Sequence, residues 1–216
     1  MRYAPSLVRT FVLLALLALP AAALSQEKGF DDDFELDEPL PSLALGPTPR
    51  GGLIASLGVG WLKSDAVAHV GLGAWMDLTV RVDSMALYDG LGAQNGVYGG
   101  LRVSPFSEGI FRLTLGVEAG EVFIPVPNAT KTHTLFRGEV VTGVQLDPVT
   151  VYARLSLQGA RADSVFEKRW ATETEAGFGV EGHVAKRLLL GAEAYGWARE
   201  KTSTLFQWRL RVGWVL

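Results

Sequence analysis

From Leu53 to the end of the chain, large apolar residues recur at every second position, with polar or small residues between them. A period of two belongs to strands whose two faces see different surroundings. In FRLTLGVEAG, Phe111, Leu113, Leu115, Val117 and Ala119 oppose Arg112, Thr114, Gly116, Glu118 and Gly120. In VTVYARLSLQGA, Val149, Val151, Ala153, Leu155 and Leu157 oppose Thr150, Tyr152, Arg154, Ser156 and Gln158. In TETEAGFGVEGHV, Thr174, Ala176, Phe178, Val180 and Val184 oppose Glu173, Glu175, Gly177, Gly179, Glu181 and His183. The chain closes on LFQWRLRVGWVL, where Phe206, Trp208, Leu210, Val212, Trp214 and Leu216 alternate with Gln207, Arg209, Arg211, Gly213 and Val215. Helical periodicity is hard to find, so the fold class is all-β.

Four segments have the form of a strand, a tight polar turn and a strand: GLGAWMDLTVRVDSMALY, GGLRVSPFSEGIFRLTLG, TGVQLDPVTVYARLSL and FGVEGHVAKRLLLGAEAY. Their hairpin-sized recurrence predicts a meander. The longer connections between them fall at Tyr88 to Gly96, Ile124 to Thr132 and Ala162 to Trp170. A loop at Lys63 to Ala66 follows the first strand, and Glu200 to Thr204 precedes the last. Placing a turn near Thr79 gives ten strands of about ten residues each, with eight as the other even count, and an even count puts both termini on one side.

Alternation alone does not separate a soluble sandwich from a membrane barrel. The chemistry of the polar face does. It carries Arg102, Arg112, Arg137, Arg154, Arg209 and Arg211 against Glu118, Glu139, Glu173, Glu175, Glu181 and Glu193, with glycines among them and almost no lysine. The planar fork of arginine suits enclosed pairing with carboxylates, and glycine leaves room where long side chains cross. This face reads as an interior. With the apolar residues turned outward to lipid, a closed antiparallel up-and-down transmembrane barrel satisfies every backbone group. Phe206, Trp208, Leu210, Val212, Trp214 and Leu216 then form the lipid-facing side of the last strand. Most of the six tryptophans, with Tyr88, Tyr98 and Tyr195, lie near strand ends, as an interfacial belt requires; Trp75 and Trp197 fall on the inward face.

The ends of the chain bear on location. Residues 1–25 have Arg2 and Arg9 ahead of an apolar run from Phe11 to Leu19 and small residues suited to cleavage, the form of a signal peptide. Residues 26–50 are acidic from Glu27 to Glu38 and carry Pro39, Pro41, Pro47 and Pro49, a composition that predicts a flexible tail; the barrel is expected over 51–216. The chain has no cysteine, which excludes disulfides and thiolate zinc sites, and its formal charge of −3 gives no reason to expect nucleic acid.

His69, His133 and His183 are scattered and show no nucleophile or base motif. His69 and His133 are expected near the outer rim and His183 beside the turn at Lys186. No enzyme activity, metal or cofactor is expected. An eight-stranded barrel is just filled by its side chains, so at ten strands Tyr98, Tyr152, Trp75 and Trp197 with the Arg and Glu pairs leave at most a narrow path. A plugged lumen is the expectation, and a narrow pore for small solutes the alternative. A secreted lipocalin-like barrel binding an apolar ligand would need the faces the other way round.

On these features the chain resembles the small bacterial outer-membrane β-barrels of the OmpA transmembrane-domain, OmpX and opacity-protein type. The resemblance is architectural and covers Leu53 to Leu216. It implies an outer-membrane location, a monomer among outer-membrane lipids, and a role in envelope structure, surface interaction or restricted passage. The last strand resembles the terminal signature that the barrel-assembly machinery recognises; those signatures usually end in an aromatic, and this chain keeps the position apolar with Leu216. No peptidoglycan-binding domain is expected after the barrel, and the acidic tail is expected in the periplasm.

Overall fold

The structure, a computed structural model, describes residues 41–86, 93–106, 109–126, 129–146, 148–163, 168–199 and 205–216. Ten strands run in order: β1 (Leu53–Gly60), β2 (Lys63–Gly73), β3 (Met76–Ala86), β4 (Ala93–Phe106), β5 (Phe111–Val126), β6 (Ala129–Leu146), β7 (Val149–Asp163), β8 (Lys168–Ala185), β9 (Leu188–Arg199) and β10 (Leu205–Val215). Each pairs antiparallel with the next, and β1 pairs antiparallel with β10, so the sheet closes on itself as an up-and-down barrel. Closure leaves no edge strand with unpaired backbone groups.

One end of the barrel carries both chain ends of the sheet and two-residue turns at Ala74–Trp75 and Lys186–Arg187, while the turn Trp61–Leu62 between β1 and β2 lies at the other end. The register shifts between Gly71 and Gly73, between Val103 and Phe106, and between His183 and Ala185 gather at this turn end, where bulges bend strands at a barrel rim. The opposite, loop end is uneven, because β5 to β8 are 15 to 18 residues long and β1 only 8.

Several expectations are corrected here. The first hairpin turns at Ala74–Trp75, not near Thr79, which lies inside β3 paired to His69 and Gly100. Asp77, Thr79, Arg81 and Asp83 alternate with Leu78, Val80 and Val82 without a break, so a turn at Thr79 would have interrupted a good strand. Lys63 to Ala66 is likewise strand, and Trp75 is exposed in its turn rather than inward. Stretches expected as loops at Ile124 to Thr132 and Ala162 to Trp170 largely continue the ladders, with Ile124 opposite Lys131 and Ala162 opposite Arg169. On β6 the outward positions of this stretch, Thr130 and Thr132, are polar, which pairing tolerates wherever the outer surface meets water.

A further correction concerns the segment before β1. Pro41–Arg50 is not part of a flexible tail: it runs inside the barrel at the turn end, with Ser42, Leu43, Ala44, Leu45 and Thr48 buried. Its prolines have no N–H to leave unsatisfied in an interior. A turn from Pro49 to Gly52, closed by Gly52 N–H donating to the Pro49 carbonyl at 2.8 Å, leads it into β1. Gly51 sits third in that turn at φ 75°, the left-handed position of a type II turn that favours glycine. The rest of the expected tail, 26–40, and the expected signal peptide, 1–25, lie outside the described residues.

Candidate functional site: the charged lumen

Polarity across the wall is inverted relative to a water-soluble barrel. Phe178 is 66% exposed and Phe206 72%, whereas Arg209 and Arg211 are each 5% exposed. Trp208, Leu210 and Leu216 are exposed beside Phe206, with Val212 and Trp214 half-buried on the same outer face. A lipocalin-like interior would require the reverse. On β6 the outward apolar positions run from Leu146 to Phe136, ten residue steps. At about 3.3 Å per residue and a tilt of about 40°, this makes a band of about 25 Å.

On the inner face Arg102, Arg112, Glu118, Arg137, Glu181, Glu193, Arg209 and Arg211 are buried, and Glu139, Arg154, Glu173 and Glu175 are half-buried. Several form one connected cluster. Glu193 accepts from Arg209 Nε at 2.8 Å and again from Arg209 Nη2, and takes the Tyr152 hydroxyl at 2.6 Å. Arg154 and Arg211 approach the same carboxylate to 3.4 and 3.7 Å. Arg137 pairs with Glu175 at 3.1 Å and Glu139 at 3.7 Å, and Arg154 reaches Glu139 at 3.9 Å.

Five further charged residues belong to this interior and were not expected there: Lys63, Asp65, Asp77, Arg81 and Asp83. Asp65 pairs with Arg209 and, at 3.3 Å, with Arg211. Arg81 pairs with Glu118, and Arg102 with Asp77 rather than a glutamate, at 2.7 Å. Lys63 bridges Asp83 at 3.1 Å and Glu175 at 3.9 Å; since β2 and β8 lie four places apart in a ring of ten, this bridge crosses the lumen. Glu173 pairs with Gln158.

The pairs follow a construction rule. Several, among them Arg209–Asp65, Arg81–Glu118, Arg137–Glu175 and Arg154–Glu193, reach over one intervening strand, and in the crossings described next a small residue stands beneath. Arg209 on β10 meets Asp65 on β2 above Gly58 of β1, which pairs in register with Asp65 and Arg211. Arg137 on β6 meets Glu175 on β8 above Ser156 of β7, whose hydroxyl accepts from Arg137 at 3.2 Å. Tyr152 lies over Gly179 on its way to Glu193. A Cβ at Gly58 would collide with the Asp65 carboxylate and stand 2.9 Å from Arg209 Cδ. Gly58→Val is therefore expected to destabilise the barrel by about 1–3 kcal/mol through overpacking, read as a lower urea midpoint, although valine suits a strand better than glycine.

Below this cluster, the inner wall of the turn end holds Pro41–Thr48. Glu181 accepts from the Ser42 hydroxyl and from Leu43 N–H at 3.0 Å. Arg102 donates to the Leu43 carbonyl at 3.0 Å, and Gly46 N–H donates to Thr114 Oγ1 at 3.0 Å. Thr48 N–H donates to Asp77 at 2.8 Å, and His183 Nε2 donates to the Pro41 carbonyl at 2.8 Å. Leu43 packs with Ile54, Leu189 and Val215; Leu45 packs with Val141 and Tyr152.

His183 is beside its turn as expected, but His69 is not at the outer rim. It is buried toward the turn end, with Nδ1 2.9 Å from Thr79 Oγ1 and Nε2 3.4 Å from Arg102. The displaced turn explains the shift. Two sequence signals mark what was missed: unbroken alternation through Thr79, and apolar Ile54, Val141 and Leu189 on a face that is otherwise polar.

No family model matches the chain, and no curated protein matches it. Among solved structures it is similar to the N-terminal β-barrel domain of Pseudomonas aeruginosa OprF, with 10% identity and a TM-score of 0.37 over 77% of this chain and 98% of that one. It is similar to the NanC porin, with 14% identity and a TM-score of 0.39 over 76% of this chain and 98% of that one. The KdgM porin in complex with disordered oligogalacturonate is similar at 12% identity and a TM-score of 0.41, over 76% of this chain and 97% of that one.

Proposed function

We propose that the chain is an integral outer-membrane β-barrel whose lumen is closed, serving envelope structure or surface interaction rather than bulk passage. The observation that carries this reading is the inverted polarity: an apolar band of about bilayer height outside and a paired charge network inside, on a sheet with no free edge. The short turns and the plugged end face the periplasm, in keeping with the short periplasmic turns of such barrels. The long β5 to β8 walls project to the outside, where their polar outward residues meet water. Trp208 and Trp214 flank the outer face of β10, the strand that the assembly machinery would read.

Two features argue against passage of solutes. Pro41–Thr48 occupies the turn end, and the Lys63 bridge spans the middle. The mature protein in isolated outer membranes is expected to migrate faster unboiled than boiled, and to give no steady current in planar bilayers. Heat-insensitive mobility and recovery in the soluble fraction would refute the membrane reading; a reproducible steady conductance would refute the closed lumen.

A further inference from the structure

We propose that the turn-end vestibule is a binding site for an extended apolar peptide, and that Pro41–Thr48 occupies it as an exchangeable ligand in cis rather than as a fixed part of the barrel. The recognition is of a peptide-binding kind. Wall side chains hold main-chain groups of the segment: Glu181 takes Leu43 N–H, Arg102 the Leu43 carbonyl, Thr114 Gly46 N–H, and Asp77 Thr48 N–H. Contacts of this type give affinity for an extended backbone, and side-chain seats give selectivity.

Two seats exist and both are built from the wall. Leu43 enters one on the β1, β9 and β10 side, and Leu45 enters another against Val141 and Tyr152. Both seats are open because the wall carries glycine: a Cβ at Gly213 would stand 3.2 Å from Leu43 Cγ, and one at Gly143 2.7 Å from a Leu45 methyl. Glu181 supplies a second, independent sign. It is 3% exposed, and its hydrogen bonds among the described residues go to Ser42 and Leu43, with Oε2 left without a partner. It faces Arg211 across Gly191 without forming an ion pair with it, and a buried carboxylate whose hydrogen bonds go to the segment acts as a recognition group. The covalent link to β1 is the single turn Pro49–Gly52, so the segment can leave as a unit.

The inference rests on the barrel and not on its membrane location, so a binding assay in detergent stands apart from the mobility test. In the full-length chain, Leu43→Asp/Leu45→Asp puts carboxylates into the two apolar seats and unseats the resident segment while leaving the wall untouched. A fluorescently labelled peptide of residues 41–50 is then titrated against folded protein and followed by anisotropy. The expected result is saturable binding to this variant, at least about tenfold tighter than to the unsubstituted protein, whose own segment competes at high effective concentration. A peptide carrying the same two aspartates should not bind.

Equal binding to both proteins would overturn the proposal, because the peptide would then sit elsewhere. So would no binding to a variant that retains heat-modifiable mobility. If the double variant does not fold, Gly71→Val serves instead with a peptide of residues 41–47. A side chain at Gly71 collides with the Thr48 and Pro49 carbonyls, which dislodges the resident at its exit and spares both leucine seats. The same two outcomes decide.

Discussion

Glu193→Ala is expected to cost about 3–5 kcal/mol of barrel stability, the range for removing one partner of a buried ion pair. Glu193 is the carboxylate shared by Arg154, Arg209, Arg211 and the Tyr152 hydroxyl, and it is 6% exposed. Its removal leaves Asp65 to answer Arg209 and Arg211 together, and leaves Arg154 only Glu139 at 3.9 Å. The loss is to be measured as the fall in urea midpoint in lipid vesicles and in the temperature at which the fast-migrating band converts. Replacing the partner as well, as Glu193→Met/Arg154→Met, should restore part of the loss, since two matched apolar groups avoid the uncompensated charge. A cost below about 1 kcal/mol would mean that water screens the middle of the lumen, as for exposed pairs, and would count against a closed interior.

The fold was legible because a barrel writes itself into the chain locally. Each strand pairs with the next in sequence, so alternation and turn spacing nearly determine the topology, and the terminal stretch from Phe206 to Leu216 shows both faces at once. The inner charges were legible for the same reason: Arg154, Glu175 and Arg209 stand at the polar phase of strands whose apolar phase is unmistakable. Errors arose where two neighbouring signals competed. Ala74 and Trp75 carry no turn chemistry of their own, so the pattern reads on through them and puts the turn at Thr79; that takes Arg81 and Asp83 out of the network and sends His69 to the wrong end. Polar stretches around Lys131 and Arg169 read as loops in the sequence, because a strand that extends past the apolar band loses its outer hydrophobic marker while keeping its ladder.

The plug was hidden for a different physical reason. Its partners are distant in sequence, Ser42 with Glu181 and Leu45 with Val141, and it has no strand partner of its own. Composition averaged over residues 26–50 is dominated by the acidic run, which masks Leu43 and Leu45 at a spacing of two. The complementary mark was on the wall: Ile54, Val141 and Leu189 occupy inward positions near the turn end, where a lumen lined for water or charge would have no use for them.

Leu115→Arg should have the second large effect and bears on the orientation of the wall as a whole. Leu115 lies midway along the outward apolar row from Phe111 to Ala119 on β5, between Val103 and Val140 on the flanking strands. If that face meets hydrocarbon, an arginine at its centre costs about 2–4 kcal/mol, and the penalty falls to about 0–1 kcal/mol near the interface. Thr132→Arg is the matched control: it lies on the outward face of β6, beyond the apolar band and opposite Phe123. Reversible folding into lipid vesicles should therefore separate the two substitutions by about 2 kcal/mol or more, whereas in urea-containing buffer without lipid neither variant should differ from the parent in solubility of the unfolded chain. Equal costs at both positions would mean that no depth-dependent apolar medium surrounds the barrel, and the inverted polarity would need a protein partner, not a bilayer, to cover it. Unequal costs in the expected order would locate the band from Phe111 to Ala119 in hydrocarbon by energy rather than by pattern.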